Sequence, residues 1–433
     1  MDEKQELDRR EFRHRRRIRN QIICYVSLAV IVLGIAGGTV FGISYFAKKA
    51  SDNKQAAELA AQLESLAEQE EPVTISEPET VVPEIDPLDE IVEACIEVMP
   101  LEDKVAGLFV ITPEALTGVD KAIKAGDGTR EALSKYAVGG LVYFSQNIQS
   151  EEQFTEMLAN TKMYSKYPIF LAVDEEGGEV SRVAKSSIEV EKVGSMADIG
   201  ASGDPQKAYD AGNTIGAYLA RIGFNLDFAP VADVLTGEDN AIGTRSFGTD
   251  ANVVASMVPS LVSGLEANKV SSCLKHFPGL GGAVEDTHDG MAVTERSLEE
   301  FQSVEFPAFK AGIDAGADFV MVSHVSAPAL AGDNTPASLS KDVVGMLRNE
   351  LEFEGVIITD ALNMKAITDY YTADEAAIKA IQAGADMLLM PEDFETAYNG
   401  VLQAVQDGTI SEERINESLR RIYKIKKADS VEQ

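Results

Sequence analysis

The chain has 433 residues, enough to bury a full core as one large barrel or two average domains. A formal net charge of −33 and an isoelectric point near 4.5 argue against nucleic acid or an anionic membrane surface as a ligand. The three cysteines, Cys24, Cys95 and Cys273, have neither metal-binding nor redox spacing, so no disulfide framework is implied.

The N-terminal 1–21 form a basic tail in which RREFRHRRRIRN is crowded with arginine. Residues 22–47 (IICYVSLAVIVLGIAGGTVFGISYFA) carry no charge and exceed the roughly 20 residues that a membrane-spanning helix needs. Only Lys48 and Lys49 follow closely, so the positive-inside rule keeps the N-terminus in the cytoplasm and exports the rest. A cleaved signal peptide is the competing reading, but its apolar region runs to about 7–15 residues, shorter than this one. No cysteine follows to take a lipid. The expectation is a single-pass cell-membrane protein whose main domain is extracytoplasmic. Residues 48–87 begin with a helix-prone piece and run into EEPVTISEPETVVPEIDP, an extended, self-repelling acidic linker. A compact domain, 88–433, starts near Leu88.

Beyond that point short apolar runs alternate with helical patterns. The runs are KVAGLFVIT (104–112), VGGLVYF (138–144), YPIFLAVD (167–174) and FNLDFAPVADV (224–234). VSSCLKHF (270–277), ADFVMVSHV (317–325), GVIITDAL (355–362) and ADMLLMP (385–391) follow. Near-continuous apolar strands between amphipathic helices indicate a parallel sheet buried on both faces, and eight such units match a closed (β/α)₈ barrel of the TIM type. A doubly wound open sheet is the alternative, but no glycine-rich dinucleotide loop opens any of the helices. The helical ISEERINESLRRIYKIKK closes the barrel, and no second C-terminal domain is visible.

Polar residues gather at one end of these runs. Asp174 closes the third, Asp227 and Asp233 lie in the fourth, Lys275 and His276 end the fifth, His324 the sixth and Asp360 the seventh. The carboxyl ends of barrel strands are where such barrels carry out chemistry. Charges with a scattered structural origin would fall at both ends.

Four motifs lie among these positions: DEEGGEVSRV (174–183), IGTRSFG (242–248), KHFPGLGGAVEDTHDG (275–290) and ITDALNM (358–364). On them the chain, from about residue 90 onward, resembles glycoside hydrolase family 3, in its β-N-acetylglucosaminidase branch that trims cell-wall fragments. The resemblance implies an exo-acting, retaining hydrolase of terminal β-linked N-acetylglucosamine. Retention needs a carboxylate nucleophile and a proton donor for the leaving oxygen. Asp360, after Thr359 at a strand end, suits the first role; an aspartate there can also simply cap the next helix. In Asp286-Thr287-His288 the two-residue spacing of an extended loop puts carboxylate and imidazole on one side, where the anion raises the ring's basicity. The resemblance implies that this Asp–His pair is the acid/base, replacing the usual carboxylic acid. The surrounding Gly279, Gly281, Gly282 and Gly290 make a mobile loop the expectation. By resemblance, too, Asp174, Arg182, Arg245, Lys275 and His276 grip the terminal sugar, and His324 lines the pocket floor or bonds to the nucleophile strand. One departure stands out: the family pattern reads KHFPGHG, whereas Leu280 replaces its second histidine here. The spacing from Lys275 to His288 is unaltered, so the expectation is altered loop packing with the chemistry kept.

Other functions fit less well. A zinc hydrolase would want two histidines close together on one strand, and no such pair occurs. There is no G-x-S-x-G and no P-loop. No cofactor or metal is implied, and nothing in the sequence specifies an oligomer. A β-N-acetylglucosaminide phosphorylase, a broader β-glycosidase and a sugar-binding pseudoenzyme remain as alternatives.

Overall fold

The computed structural model describes residues 86–236, 240–283 and 290–428; the basic tail, the apolar segment and the linker before residue 86 lie outside them. Each apolar run contains one strand: β1 (Phe109–Ile111), β2 (Gly140–Val142), β3 (Phe170–Val173), β4 (Leu226–Asp227), β5 (Ser271–Phe277), β6 (Phe319–Val322), β7 (Val356–Thr359) and β8 (Leu388–Leu389). All neighbours are parallel, in the order β8-β1-β2-β3-β4-β5-β6-β7. A parallel bridge between Ile358 and Met387, with Asp386 and Met387 N–H donating to the Ile357 carbonyl at 2.7 and 3.0 Å, brings β7 against the residues leading into β8. The ring is that of a TIM-type barrel, and an open doubly wound sheet is ruled out. Most strands are shorter than their apolar runs because the runs continue into buried strand-end loops: Val231, Ala232 and Val234 lie beyond β4, all at or below 1% exposure.

Local chemistry sets the helices between strands. Ser150 accepts from Gln153 N–H while the Gln153 side chain reaches back to Ser150 N–H, a capping box that starts Glu151–Tyr164. Asp204 caps Pro205–Ile222, and Gly223, at φ 116°, ends it. In that helix Ala208, Ala211, Ile215, Leu219 and Ile222 recur every three or four residues and are buried, the stripe that lays a helix against a sheet. Among the described residues no helix is long and apolar enough to cross a membrane, and residues 22–47 are outside them.

Other charges sit at the opposite end of the barrel, Asp318 before β6 and Asp386 before β8 among them. Asp386, fully buried just before β8, accepts from Ile357 N–H at 3.0 Å and Ser418 Oγ at 2.9 Å. It also pairs with Arg348 at 2.5 Å, Arg421 at 3.1 Å and Arg414 at 3.7 Å. Arg414, Ser418 and Arg421 belong to the last helix, Glu412–Lys427, so this carboxylate fastens the final helix across the barrel floor. Asp386→Ala leaves three arginines without their shared anion. It should cost about 3–5 kcal/mol, read as a lower urea midpoint; a loss of about 0.5 kcal/mol or less would make the cluster a marginal surface-type pair.

Candidate functional site

At the carboxyl ends of the strands a cavity of about 460 Å³ opens. Its wall includes Asp174 after β3, Arg182, Arg245, Lys275 and His276 of β5, and Asp360 after β7, together with Glu176 and Leu280. Six of the residues singled out from sequence thus meet in one place. Asp286 and His288 lie outside the described residues.

The segment after β3 supplies three of these groups. Alternation sends Glu175 and Glu176 in opposite directions. Glu175 turns inward: it accepts from Val183 and Ala184 N–H at 2.6 and 3.0 Å and from the Tyr218 hydroxyl at 2.8 Å. Burial pushes its carboxyl up. Gly177 and Gly178, at φ 88° and 58°, take a left-handed turn that glycine adopts without strain. The turn pairs Glu175–Gly177 with Val180–Ser181 and brings Arg182 back beside Asp174, Nη2 to Oδ2 3.8 Å. The Arg182 guanidinium also lies 5.5 Å from the Phe144 ring centre, and its Nε has no hydrogen-bond partner among the described residues.

Lys275, 2% exposed, donates to Asp174 Oδ1 at 2.8 Å and reaches Glu176 Oε1 at 2.5 Å. Arg245 grips Glu176 with both arms, Nε to Oε2 and Nη2 to Oε1 each at 2.7 Å. Burial works against each charge here, but the neighbours of opposite sign win. Lys275 and Glu176 are the decisive cases. Burial would lift Glu176, yet Lys275 and Arg245 hold it down at about 2. Burial would lower Lys275, yet Asp174 and Glu176 keep its pKa above the usual lysine range. Lys275, Glu176 and Arg245 therefore form a forked, charge-assisted lattice that stays ionised near neutral pH.

His276 is anchored from behind. Its Nδ1 lies 2.7 Å and its backbone N 3.1 Å from Asp233 Oδ2, and Arg245 Nη2 approaches its Nε2 at 3.4 Å. Asp360 donates its N–H to the Val322 carbonyl and accepts from Ala361 N–H, both at 2.8 Å. Met321, Leu389 and Met390 form an apolar lining near it.

Of the two places expected for His324, the structure supports the second: it lies outside the pocket wall, against the segment that follows the nucleophile strand. Its Nε2 bonds to the Ala361 carbonyl at 2.9 Å and its Nδ1 to Ser338 Oγ at 2.7 Å, so it steadies the chain just past Asp360. Asp227 is not among the residues of the cavity wall; it accepts Glu175 N–H at 2.9 Å, and burial pushes its carboxyl well above the usual range. The loop expected to be mobile has its centre, 284–289, outside the described residues; Gly279 and Gly281 at its start are closely packed. A Cβ at Gly281 would come within 1.9 Å of the Val234 carbonyl oxygen, and one at Gly279 within 2.3 Å of the Glu305 side chain. These glycines allow close approach, as the chain there is held by Asn240 Nδ2 donating to the Gly281 and Ala283 carbonyls at 3.0 and 2.9 Å. Leu280 keeps its backbone N–H on Asp233 Oδ1 at 2.6 Å, a contact that needs no histidine side chain.

Sequence reasoning passed over Glu176 and gave Asp233 no role in the site. A carboxylate two residues after Asp174 in an extended segment was a usable signal for the first. For the second, its place near the end of the fourth apolar run marked the right end of the barrel but not its partner His276.

Among the described residues no group of three His, Cys, Asp or Glu side chains is placed to hold a metal ion. Residues 100–425 match the model of the glycosyl hydrolase family 3 N-terminal domain. The chain belongs to glycoside hydrolase family 3. The family 3 β-N-acetylglucosaminidase of Paenibacillus sp. str. FPU-7 superposes on it with a TM-score of 0.72 at 34% identity, over 77% of this chain and 64% of that one. A β-hexosaminidase of Stenotrophomonas maltophilia (strain R551-3) is 35% identical over 281 residues, 63% of this chain and 82% of its own. β-Hexosaminidase A of Pseudoalteromonas piscicida is 32% identical over 328 residues, and the chain spans 54% of that relative's length. The cavity therefore lies at the strand ends of a family 3 glycosidase barrel, with Asp360 and the Lys275–Glu176–Arg245 lattice in one wall.

Proposed function

We propose that the protein is an exo-acting, retaining β-N-acetylglucosaminidase that removes terminal β-linked N-acetylglucosamine from muropeptides or related glycans. The observation that carries this reading is the convergence of Asp360 with Asp174, Arg182, Arg245, Lys275 and His276 on one cavity. A volume of about 460 Å³ falls in the lower part of the ligand-pocket range, suited to the end of a glycan. The names of the Paenibacillus and Stenotrophomonas relatives point the same way. In this reading Asp360 attacks the anomeric carbon and forms a glycosyl-aspartate. His288, paired with Asp286, protonates the departing oxygen and then deprotonates the incoming water. Asp174 accepts from sugar hydroxyls while Lys275 and the arginines donate, and no cofactor takes part.

A panel of aryl β-glycosides tests the reading. The N-acetylglucosaminide should be turned over well ahead of the glucoside, at a rate indifferent to inorganic phosphate. Glucoside preference would make the protein a broader β-glycosidase, and a sugar phosphate product would make it a phosphorylase. Absence of any turnover with the sugar still bound would leave a pseudoenzyme.

The lattice gives a further expected result. Glu176→Gln keeps the shape but removes the buried anion between Lys275 and the half-buried Arg245, a loss of the kind worth about 3–5 kcal/mol. If that loss is felt in the transition state, kcat/KM falls by about 10²–10⁴. A change of less than about threefold would mean that Lys275 and Arg245 hold their places without it.

We further propose that residues 22–47 hold this domain outside the cytoplasmic membrane, on the strength of the uncharged run and the arginines before it. Protease added to intact protoplasts should then strip the domain from the membrane. Digestion only after lysis would reverse the orientation.

A further inference from the structure

Every hydrogen-bonding atom of the Asp233 side chain is committed to a donor. Oδ2 receives His276 N–H at 3.1 Å and stands 2.7 Å from His276 Nδ1, and Oδ1 receives Leu280 N–H at 2.6 Å. The side chain is fully buried. Its own backbone is clamped: the Asp233 carbonyl accepts from Ser246 Oγ at 2.6 Å, next to Arg245 in sequence. The adjoining Val234 donates its N–H to Glu305 Oε2 at 3.0 Å, and its carbonyl accepts from Arg296 Nη2 at 3.3 Å. Glu305 and Arg296 form a buried ion pair with each other. The carboxylate therefore cannot swing away, and the nitrogen facing it must be the one that carries a proton.

The other ring nitrogen has the opposite surroundings. Nε2 faces the Arg245 guanidinium at 3.4 Å, and arginine can only donate. A proton on Nε2 would set two donors against each other, whereas a lone pair there is met by one. Arg245 spends its short bonds on Glu176, so it leaves this lone pair only a long contact.

We infer that Asp233 is a positioning residue that fixes His276 as the Nδ1–H tautomer, so that His276 recognises its ligand by accepting a hydrogen bond at Nε2. The group that fits is a hydroxyl that donates, and this rests on the reading that the cavity takes the end of a sugar. In a lattice where Lys275 and the arginines are all donors, His276 and Asp174 are then the acceptors that make a hydroxyl, with both functions, preferable to a group that only accepts.

The test has two readouts. In the full-length protein in detergent, ¹⁵N spectra of histidine-labelled material at pH 8, assigned with His276→Gln, should show a protonated Nδ1 and an unprotonated Nε2. The same spectrum of Asp233→Asn should show the tautomer mixed or reversed. Second, N-acetylglucosamine analogues bearing fluorine in place of the 3-, 4- or 6-hydroxyl are compared for binding, since fluorine cannot donate. One analogue should bind about tenfold or more weakly than the parent sugar, and that penalty should shrink in Asp233→Asn and in His276→Gln. An Nε2–H tautomer in the wild type overturns the proposal outright, whatever the variants do. So does a fluorine penalty of the same size in wild type and both variants, or none at any position. If N-acetylglucosamine itself does not bind, the sugar reading fails and the recognition role falls with it. The wild-type spectrum still reports the tautomer alone. Should Asp233→Asn not fold, Asp233→Glu, which keeps the anion but shifts it, is held to the same two criteria.

Discussion

Asp360→Asn should leave a folded, sugar-binding protein whose turnover is lower by about a thousandfold or more, the scale on which single covalent-catalysis residues act. The retained fold follows from geometry. Asp360 is held by its backbone N–H on the Val322 carbonyl and by a side-chain oxygen accepting from Ala361 N–H, and an asparagine oxygen can take the second bond unchanged. The amide has no charge with which to attack an anomeric carbon, so no glycosyl-enzyme forms. A 2-fluoro sugar with a good leaving group should label Asp360 in the wild type and nothing in the variant. Peptide mapping decides it: a label on Asp174 or Glu176 would move the nucleophile to another carboxylate of the pocket. A pH profile adds a second check. Glu176 sits near 2 and Lys275 above its usual range, so neither titrates near neutrality, and an acidic limb at mild pH must come from another group.

His288→Ala should lose activity in proportion to how poor the leaving group is. A nitrophenolate departs unaided, whereas a sugar alkoxide needs a proton as it leaves. A positioned general acid is worth about 10²–10⁴-fold, and the disaccharide should show most of that loss while the nitrophenyl glycoside shows far less. In the proposed mechanism the same group serves as the base of deglycosylation, so the nitrophenyl substrate should give a burst as the covalent intermediate accumulates. Asp286→Asn keeps the ring and removes its anion, which lowers the imidazole pKa and should move its limb of the pH profile downward, with a milder rate loss. Equal losses on both leaving groups, no burst and no shift with Asp286→Asn would give the pair a structural role and send the search for the donor elsewhere.

Much of the molecule is legible from its sequence, for a physical reason. A strand buried on both faces must be apolar nearly throughout, so β1 to β8 each fall within a run visible by eye, from FVI in the first to LL in the last. Each polar residue that ends such a run then marks the carboxyl-end face of the barrel, and Asp174, Lys275, His276 and Asp360 do meet there. These are local properties, written in composition and spacing. The distinction between a charge that lines the cavity and one that braces the wall is not local. Asp227 and His324 stand in the same strand-end positions as the gripping residues, yet one accepts Glu175 N–H and the other spends its ring on Ser338 and the Ala361 carbonyl. Only partners brought from other strands decide this. The same holds for Asp386, whose arginines come from residues 348, 414 and 421, and for Glu176, whose cations are Lys275 and Arg245. Glycines near residue 280 read as freedom in a sequence, where each is seen alone. In the barrel Gly281 lies where no Cβ fits against the Val234 carbonyl, a need for close approach that the sequence does not show. Spacing along a chain fixes which residues reach the same end of a barrel, while the hydrogen bonds and ion pairs each can make there depend on neighbours a hundred residues away, which only closure of the ring brings into contact.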